Sequence, residues 1–119
     1  ADTPLGQVHY QDVGAGPAIV LLHQVPWFYV YYTRAQAELA ARGWRTIAID
    51  TPGYGLSARL EREPTIADYA AAIDAVLRHL RLKRPAVVGH HTGSTIAVEL
   101  ARSRPGRVQC VMLHGVPLY

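Results

Sequence analysis

Cysteine, lysine, phenylalanine and methionine are nearly missing from this 119-residue chain: Cys110, Lys83, Phe28 and Met112 each stand alone. A single thiol excludes an internal disulfide and a cysteine-built zinc site, and the apolar run around Cys110 predicts a buried core thiol. Long apolar runs are missing as well. The most apolar stretch, 18–30, is interrupted by His23, Gln24 and Pro26, and falls short of the roughly 18 to 20 residues that cross a bilayer. No basic segment followed by an apolar one stands near Ala1, so a secretory leader is expected to be absent or removed, and a soluble, cytoplasmic protein is the default expectation. Repeats, low-complexity tracts and long linkers are lacking too, which predicts one domain over residues 1–119 with a single core.

The formal net charge is +3, a sign that suits nucleic acid or an anionic membrane. The placement of the cations points elsewhere. Arg78, Arg81, Lys83 and Arg84 fall at the end of one predicted helix, and Arg102, Arg104 and Arg107 at the end of another. Cations there meet the negative end of the helix dipole, so solvated helix ends explain them. Neither nucleic acid nor a membrane is expected as a partner.

What is present is a rhythm of short apolar runs and amphipathic segments. Strands are predicted at Gln7 to Asp12, Ala18 to Gln24, Trp44 to Asp50, Pro85 to His90 and Val108 to Gly115, each bounded by turn residues. A helix is predicted from Ile66 to about Leu82, with Ile66, Tyr69, Ala70, Ile73, Val76, Leu77 and Leu80 on one face and a capping box at Thr65 and Asp68. A second begins near Thr92 and stops before Pro105, and an alanine-rich third ends at Gly43. Wholly apolar strands such as Ile19 to Leu22 and Pro85 to Val88 are expected where helices cover both faces of a parallel sheet. The fold class is therefore α/β, a doubly wound, mostly parallel sheet.

The segment Gly89-His90-His91-Thr92-Gly93 follows a buried strand and opens a helix. A G-x-H-x-G turn of this kind holds its central residue clear of the sheet, with small neighbours allowing the tight bend. The next amide then sits at a helix N-terminus, which favours developing negative charge. Phosphate binding is disfavoured: Gly14-Ala15-Gly16 leads into a strand, the elbow lacks the middle glycine of G-x-G-x-x-G, and no G-x-x-x-x-G-K-[ST] occurs.

Four pieces, in order, resemble the α/β-hydrolase superfamily. His23-Gln24-Val25-Pro26 is similar to the H-G-x-P oxyanion segment and Asp50-Thr51-Pro52-Gly53-Tyr54-Gly55-Leu56-Ser57 to the D-x-P-G-x-G-x-S loop; the elbow and Leu113-His114-Gly115-Val116-Pro117 complete the set. The combination most resembles a bacterial subgroup with HQxP and GHHTG in these places. The resemblance implies that the amides of Val25 and Thr92 form an oxyanion hole and that His91 holds the nucleophile position. Gln24, where the family has glycine, offers a side-chain amide; Gln24, Trp27 and His114 are the expected substrate contacts. His91 carries no hydroxyl, which excludes serine-type chemistry through it. In the superfamily the acid and histidine of the triad lie on later strands, so the chain resembles the N-terminal part of the fold, truncated before those strands and the cap. Its last strand is then an open edge, suited to self-association or to a second chain supplying the remaining strands.

For His91 the alternatives are a nucleophile or base, a ligand-lining ring, and a metal ligand beside His23, Asp50 and His114 at the strand ends. His23 and Asp50 usually serve loop packing in the superfamily, so no metal and no cofactor are expected. His90 is expected to point into the fold. Trp27 to Tyr32 places five aromatics in six residues; they suit an interface with a cap or another chain, or else an apolar wall over the crevice. Tyr54 is a weaker candidate at the entrance. The expected function is hydrolase-type chemistry on a small organic molecule; the competing expectation is a non-catalytic binding or interaction module.

Overall fold

The computed structural model describes residues 1–117. The runs of Val, Ile and Leu form a five-stranded sheet of β3 (Tyr10–Val13), β4 (Ala18–Leu22), β5 (Arg45–Ile49), β6 (Ala86–His90) and β7 (Cys110–His114), ordered β3-β5-β4-β6-β7. All neighbours are parallel except β3, which runs antiparallel to β5 with Tyr10 opposite Ile49. Side chains alternate between the two faces of a strand. Val20, Leu22, Ile47, Ile49 and Val87 accordingly join Ile73, Val76, Leu77, Ile96 and Leu100 in one core. Leu21 and Ala48 pack on the other face with Tyr32. The helices are α1 (Thr33–Ala41), α2 (Ile66–His79) and α3 (Thr92–Ser103), and a 3-10 turn, Tyr29–Tyr32, leads into α1. The doubly wound, mostly parallel α/β arrangement is thus as expected.

Two boundaries and one burial expectation differ from the sequence reading, each for a local reason. The expected strand Gln7 to Asp12 is divided: Gln7 pairs with Asp2 in a small hairpin of β1 (Asp2–Thr3) and β2 (Gly6–Gln7), and the main sheet begins only at Tyr10. Between them the His9 amide donates to the Ser57 hydroxyl at 2.9 Å. Helix α2 starts with the expected capping box, Thr65 Oγ1 accepting from Asp68 N and the Asp68 carboxylate accepting from Thr65 N, but it ends at His79. There Arg81 N donates to Arg78 O and Leu82 N to Leu77 O, the bonds of a Schellman close. Cys110 is exposed, not a core thiol. It lies on β7, the outer strand, whose five residues are all exposed.

The reading of the arginines as solvated helix ends also changes. Asp74 of α2 is buried, and Arg107 Nε, Arg78 Nε and Arg104 Nε approach its carboxylate at 2.7, 3.2 and 3.2 Å. One carboxylate therefore joins the last turn of α2 to the segment after α3. Asp74→Asn should lower stability by about 2 kcal/mol, between a surface pair and a broken buried one because the arginines are partly solvated; urea denaturation of the two proteins measures this.

His23, just past β4, is buried and has a fixed tautomer. The Thr51 amide can only donate, so at 2.9 Å its partner His23 Nε2 must carry the lone pair. Nδ1 then holds the proton and donates to Gln24 O at 2.9 Å. Burial, the largest influence, depresses the imidazole pKa below its usual value. A lowered folded-state pKa means that the unfolded chain binds the proton more readily, so stability is fully present above the unfolded value near 6.5 and declines as pH falls toward the folded value. Thermal melts from pH 8 down to pH 5 should show this loss in the wild type, and a shallower slope in His23→Gln.

Candidate active site at the β6 to α3 turn

The elbow is built by backbone geometry before any side chain matters. His91 caps α3 with φ 51° and ψ −111°, a conformation that costs a non-glycine residue of order 1–3 kcal/mol and persists only where its surroundings enforce it. The enforcement is visible. A Cβ on Gly89 would lie 2.5 Å from Gly93 O, and one on Gly93 would lie 2.2 Å from Leu22 O. Only glycines let α3 pack this close to the end of β4. His91 N donates to His114 O at 2.9 Å, and the Ser94 hydroxyl donates to Gly89 O at 2.8 Å. The turn is thus tied to both β6 and β7, and the His91 side chain is exposed at its apex.

Of the two expected oxyanion donors, Thr92 directly follows the apex residue. Thr92 is the first residue of α3, so its N–H has no acceptor within the helix. Val25 lies on the loop leaving β4, whose carbonyls at Leu22 and His23 sit against Gly93. Among the described residues the Val25 amide donates to no other group. Gln24 turns this loop through its backbone: its carbonyl accepts from Trp27 N at 2.8 Å and from His23 Nδ1.

A second loop is locked underneath. The fully buried Asp50 side chain accepts from Tyr29 N at 2.6 Å, from Leu56 N at 2.9 Å and faces His9 Nδ1 at 2.9 Å. Gly55 has φ 55°, and a Cβ there would meet Asp50 Oδ2 at 2.3 Å. Asp50 and His23 therefore have their polar atoms committed to loop packing, and they are not free to ligate a metal with His91 and His114. Tyr54 stands edge-on to His23 at 6.2 Å between ring centroids and does not reach the elbow turn itself through any hydrogen bond among the described residues.

Beside the apex runs a row of rings. His90 stacks on His114 at 4.6 Å and on Tyr31 at 5.2 Å, and Tyr31 in turn lies 6.4 Å from Trp27. His90 is half-buried between these rings, and only in part does it point into the fold as expected. Burial first, then the neighbouring His114 and His91, pushes its pKa below the usual value, which keeps the stacked ring neutral near pH 7. The aromatic run divides its work. Tyr32 is buried and donates from its hydroxyl to Leu22 O at 3.0 Å, while Trp27 and Tyr31 remain 49% and 43% exposed. The sequence reading singled out Trp27 and His114 as contacts but held Tyr31, which with His90 links them, only within the aromatic run, and it did not name Ser94, which ties the turn to β6 and β7. Nothing in the sequence ranks one tyrosine of the run above the next, whereas a serine after the second elbow glycine was a usable sign.

His91 Nδ1 lies 3.3 Å from the Thr92 hydroxyl, and Nε2 has no partner among the described residues. An imidazole so placed can accept a proton or bond to an electrophilic carbon. A concavity of about 500 Å³ lined by Pro4, Leu5 and Arg59 includes none of the elbow residues.

Comparison with known proteins agrees with this architecture. The family model described as alpha/beta hydrolase fold matches residues 17–118. A non-heme haloperoxidase of Rhodococcus erythropolis is 35% identical over 93% of this chain and 41% of its own length. Haloalkane dehalogenase 2 of Mycobacterium tuberculosis is 34% identical over 94% of this chain and 39% of its own. The structure of an epoxide hydrolase from an endophytic Streptomyces superposes with a TM-score of 0.89 at 35% identity, covering all of this chain and 37% of that one. The chain thus spans between about one-fifth and two-fifths of the length of the curated relatives it matches. With its glycine-flanked elbow, its His23-Gln24-Val25-Pro26 loop after β4 and its buried Asp50 loop in family order, the chain belongs to the alpha/beta hydrolase fold family.

Proposed function

We propose that this chain carries the elbow and oxyanion parts of a hydrolase-superfamily enzyme acting on a small organic substrate, with His91 as its proton-handling residue. The observation that carries the reading is the strained His91 backbone, φ 51°, which holds an exposed imidazole at the apex between the Val25 loop and the N-terminus of α3. For an ester, His91 Nε2 takes a proton from a water molecule as the water oxygen bonds to the carbonyl carbon. The carbonyl oxygen becomes an anion facing the Val25 and Thr92 amides, and its collapse expels the alkoxide, which recovers the proton from His91. The names of the relatives, haloperoxidase, dehalogenase and epoxide hydrolase, support including haloalkanes and epoxides among the substrates tried.

Ligand binding without turnover is favoured by one observation: among the described residues His91 Nδ1 meets the Thr92 hydroxyl and not a carboxylate that would orient the ring as a base. Steady-state assays on small esters, lactones, epoxides and haloalkanes, with the protein in its natural full length, separate the two. His91→Ala should lower kcat/KM by roughly 100- to 10,000-fold. Turnover that survives the substitution removes His91 from the chemistry, and no turnover in the wild type favours the binding module.

A further inference from the structure

At the opposite end of the sheet from the elbow, around the N-terminal ends of β4, β5 and β6, lies a concavity of about 320 Å³. Trp44, Arg45, Arg81, Lys83, Arg84 and Gln109 line it, and no aspartate or glutamate does. Four cations line one groove in a chain whose entire formal net charge is +3. Only Arg45 is neutralised, by a bidentate pair with Asp12 at 3.0 and 2.7 Å. Arg81, Lys83 and Arg84 form no ion pair among the described residues. The volume falls in the range of small-molecule sites.

Arg81 is the telling residue. It occupies the left-handed position of the Schellman close of α2, with φ 56°, where glycine is the usual occupant because a Cβ is penalised. The dipole of α2 welcomes a cation nearby, but His79 and Arg78 already supply the last turn with basic groups. Arg81 thus keeps a strained backbone where glycine would relieve it, and its side chain lines the groove. Trp44, 39% exposed, adds an aromatic surface to the same lining.

We propose that this groove binds a small phosphomonoester bearing an aromatic ring, its phosphate held by Arg81, Lys83 and Arg84 and its ring lying on Trp44. Guanidinium and ammonium donors match the phosphate oxygens in charge and hydrogen bonding, and an exposed indole offers a face for stacking. The groove lies away from His91, so the assignment stands apart from the proposed catalysis.

Phenyl phosphate, inorganic phosphate and phenol serve as probes, with binding read by calorimetry and by the shifts of the Trp44 indole N–H in NMR spectra. Phenyl phosphate is expected to bind more tightly than inorganic phosphate, phenol not measurably, and added salt to weaken both anions. Arg81→Gly should raise the melting temperature, by removing the left-handed strain, while weakening phenyl phosphate at least tenfold; a purely structural arginine would show the first effect without the second. Lys83→Ala should weaken binding with the melting temperature unchanged, and His91→Ala should bind as the wild type does. The proposal is overturned if wild-type protein fails to approach saturation at roughly 10 mM phenyl phosphate. It is equally overturned if the Arg81→Gly, Lys83→Ala, Arg84→Ala triple variant keeps wild-type affinity, or if inorganic phosphate binds as tightly as phenyl phosphate.

Discussion

A carboxylate taken fully out of water must be surrounded by donors, and the loops around the elbow are arranged to meet that demand at Asp50. Its side chain is fully buried and accepts hydrogen bonds from Tyr29 N and Leu56 N, with His9 Nδ1 at 2.9 Å. The donors come from three separate segments: the stretch between β2 and β3, the 3-10 turn before α1, and the loop after β5. Removing any one leaves a buried anion short of a partner, a large penalty relative to the net worth of an ordinary hydrogen bond. The demand also explains Gly55, since any side chain there would collide with Asp50 Oδ2. Because the Asp50 main chain adds bonds from Asp50 N to His9 O and from the Ser57 hydroxyl to Asp50 O, the loop is held at both levels.

His23 extends this locking to the loop after β4. Its ring spans from Thr51 N to Gln24 O, so the loop after β5 sets the height of the loop after β4. Gln24, the residue before Val25, is thereby held to the loop after β5 through the His23 ring. Gly93 supplies the other half of the placement, because its missing Cβ lets the N-terminus of α3 touch the carbonyls of Leu22 and His23. Precise placement of donors around a reacting centre depends on such supporting contacts more than on the donors themselves.

Much of this was legible in the sequence. Glycines at 89 and 93 bracket a turn whose backbone tolerates nothing larger, and the apolar runs of β4 and β6 carry the composition of doubly covered strands. The capping box at Thr65 and Asp68 was readable for the same reason: it is local, and its spacing is its geometry. What escaped were pairings between residues far apart in the chain. The convergence of Arg78, Arg104 and Arg107 on Asp74 joins two helix ends that sequence spacing treats as unrelated. Cys110 misled because an apolar run signals a strand but not whether neighbours cover it. Tyr31 was hidden among equivalent tyrosines, since only the position of His90 distinguishes it.

The elbow also shows what kind of feature the fold preserves. Its bonds are made by main-chain atoms and by Ser94: His91 N to His114 O, Ser94 N to His91 O and the Ser94 hydroxyl to Gly89 O. None uses the His91 side chain. The turn is therefore indifferent to which side chain stands at its apex, and the fold does not by itself determine the chemistry there. An imidazole in that place has no hydroxyl to activate, but it gains a neighbour that matters electrostatically. Burial and the adjacent rings of His114 and His91 hold the pKa of the stacked His90 below its usual value, which keeps that ring neutral near pH 7 beside the apex.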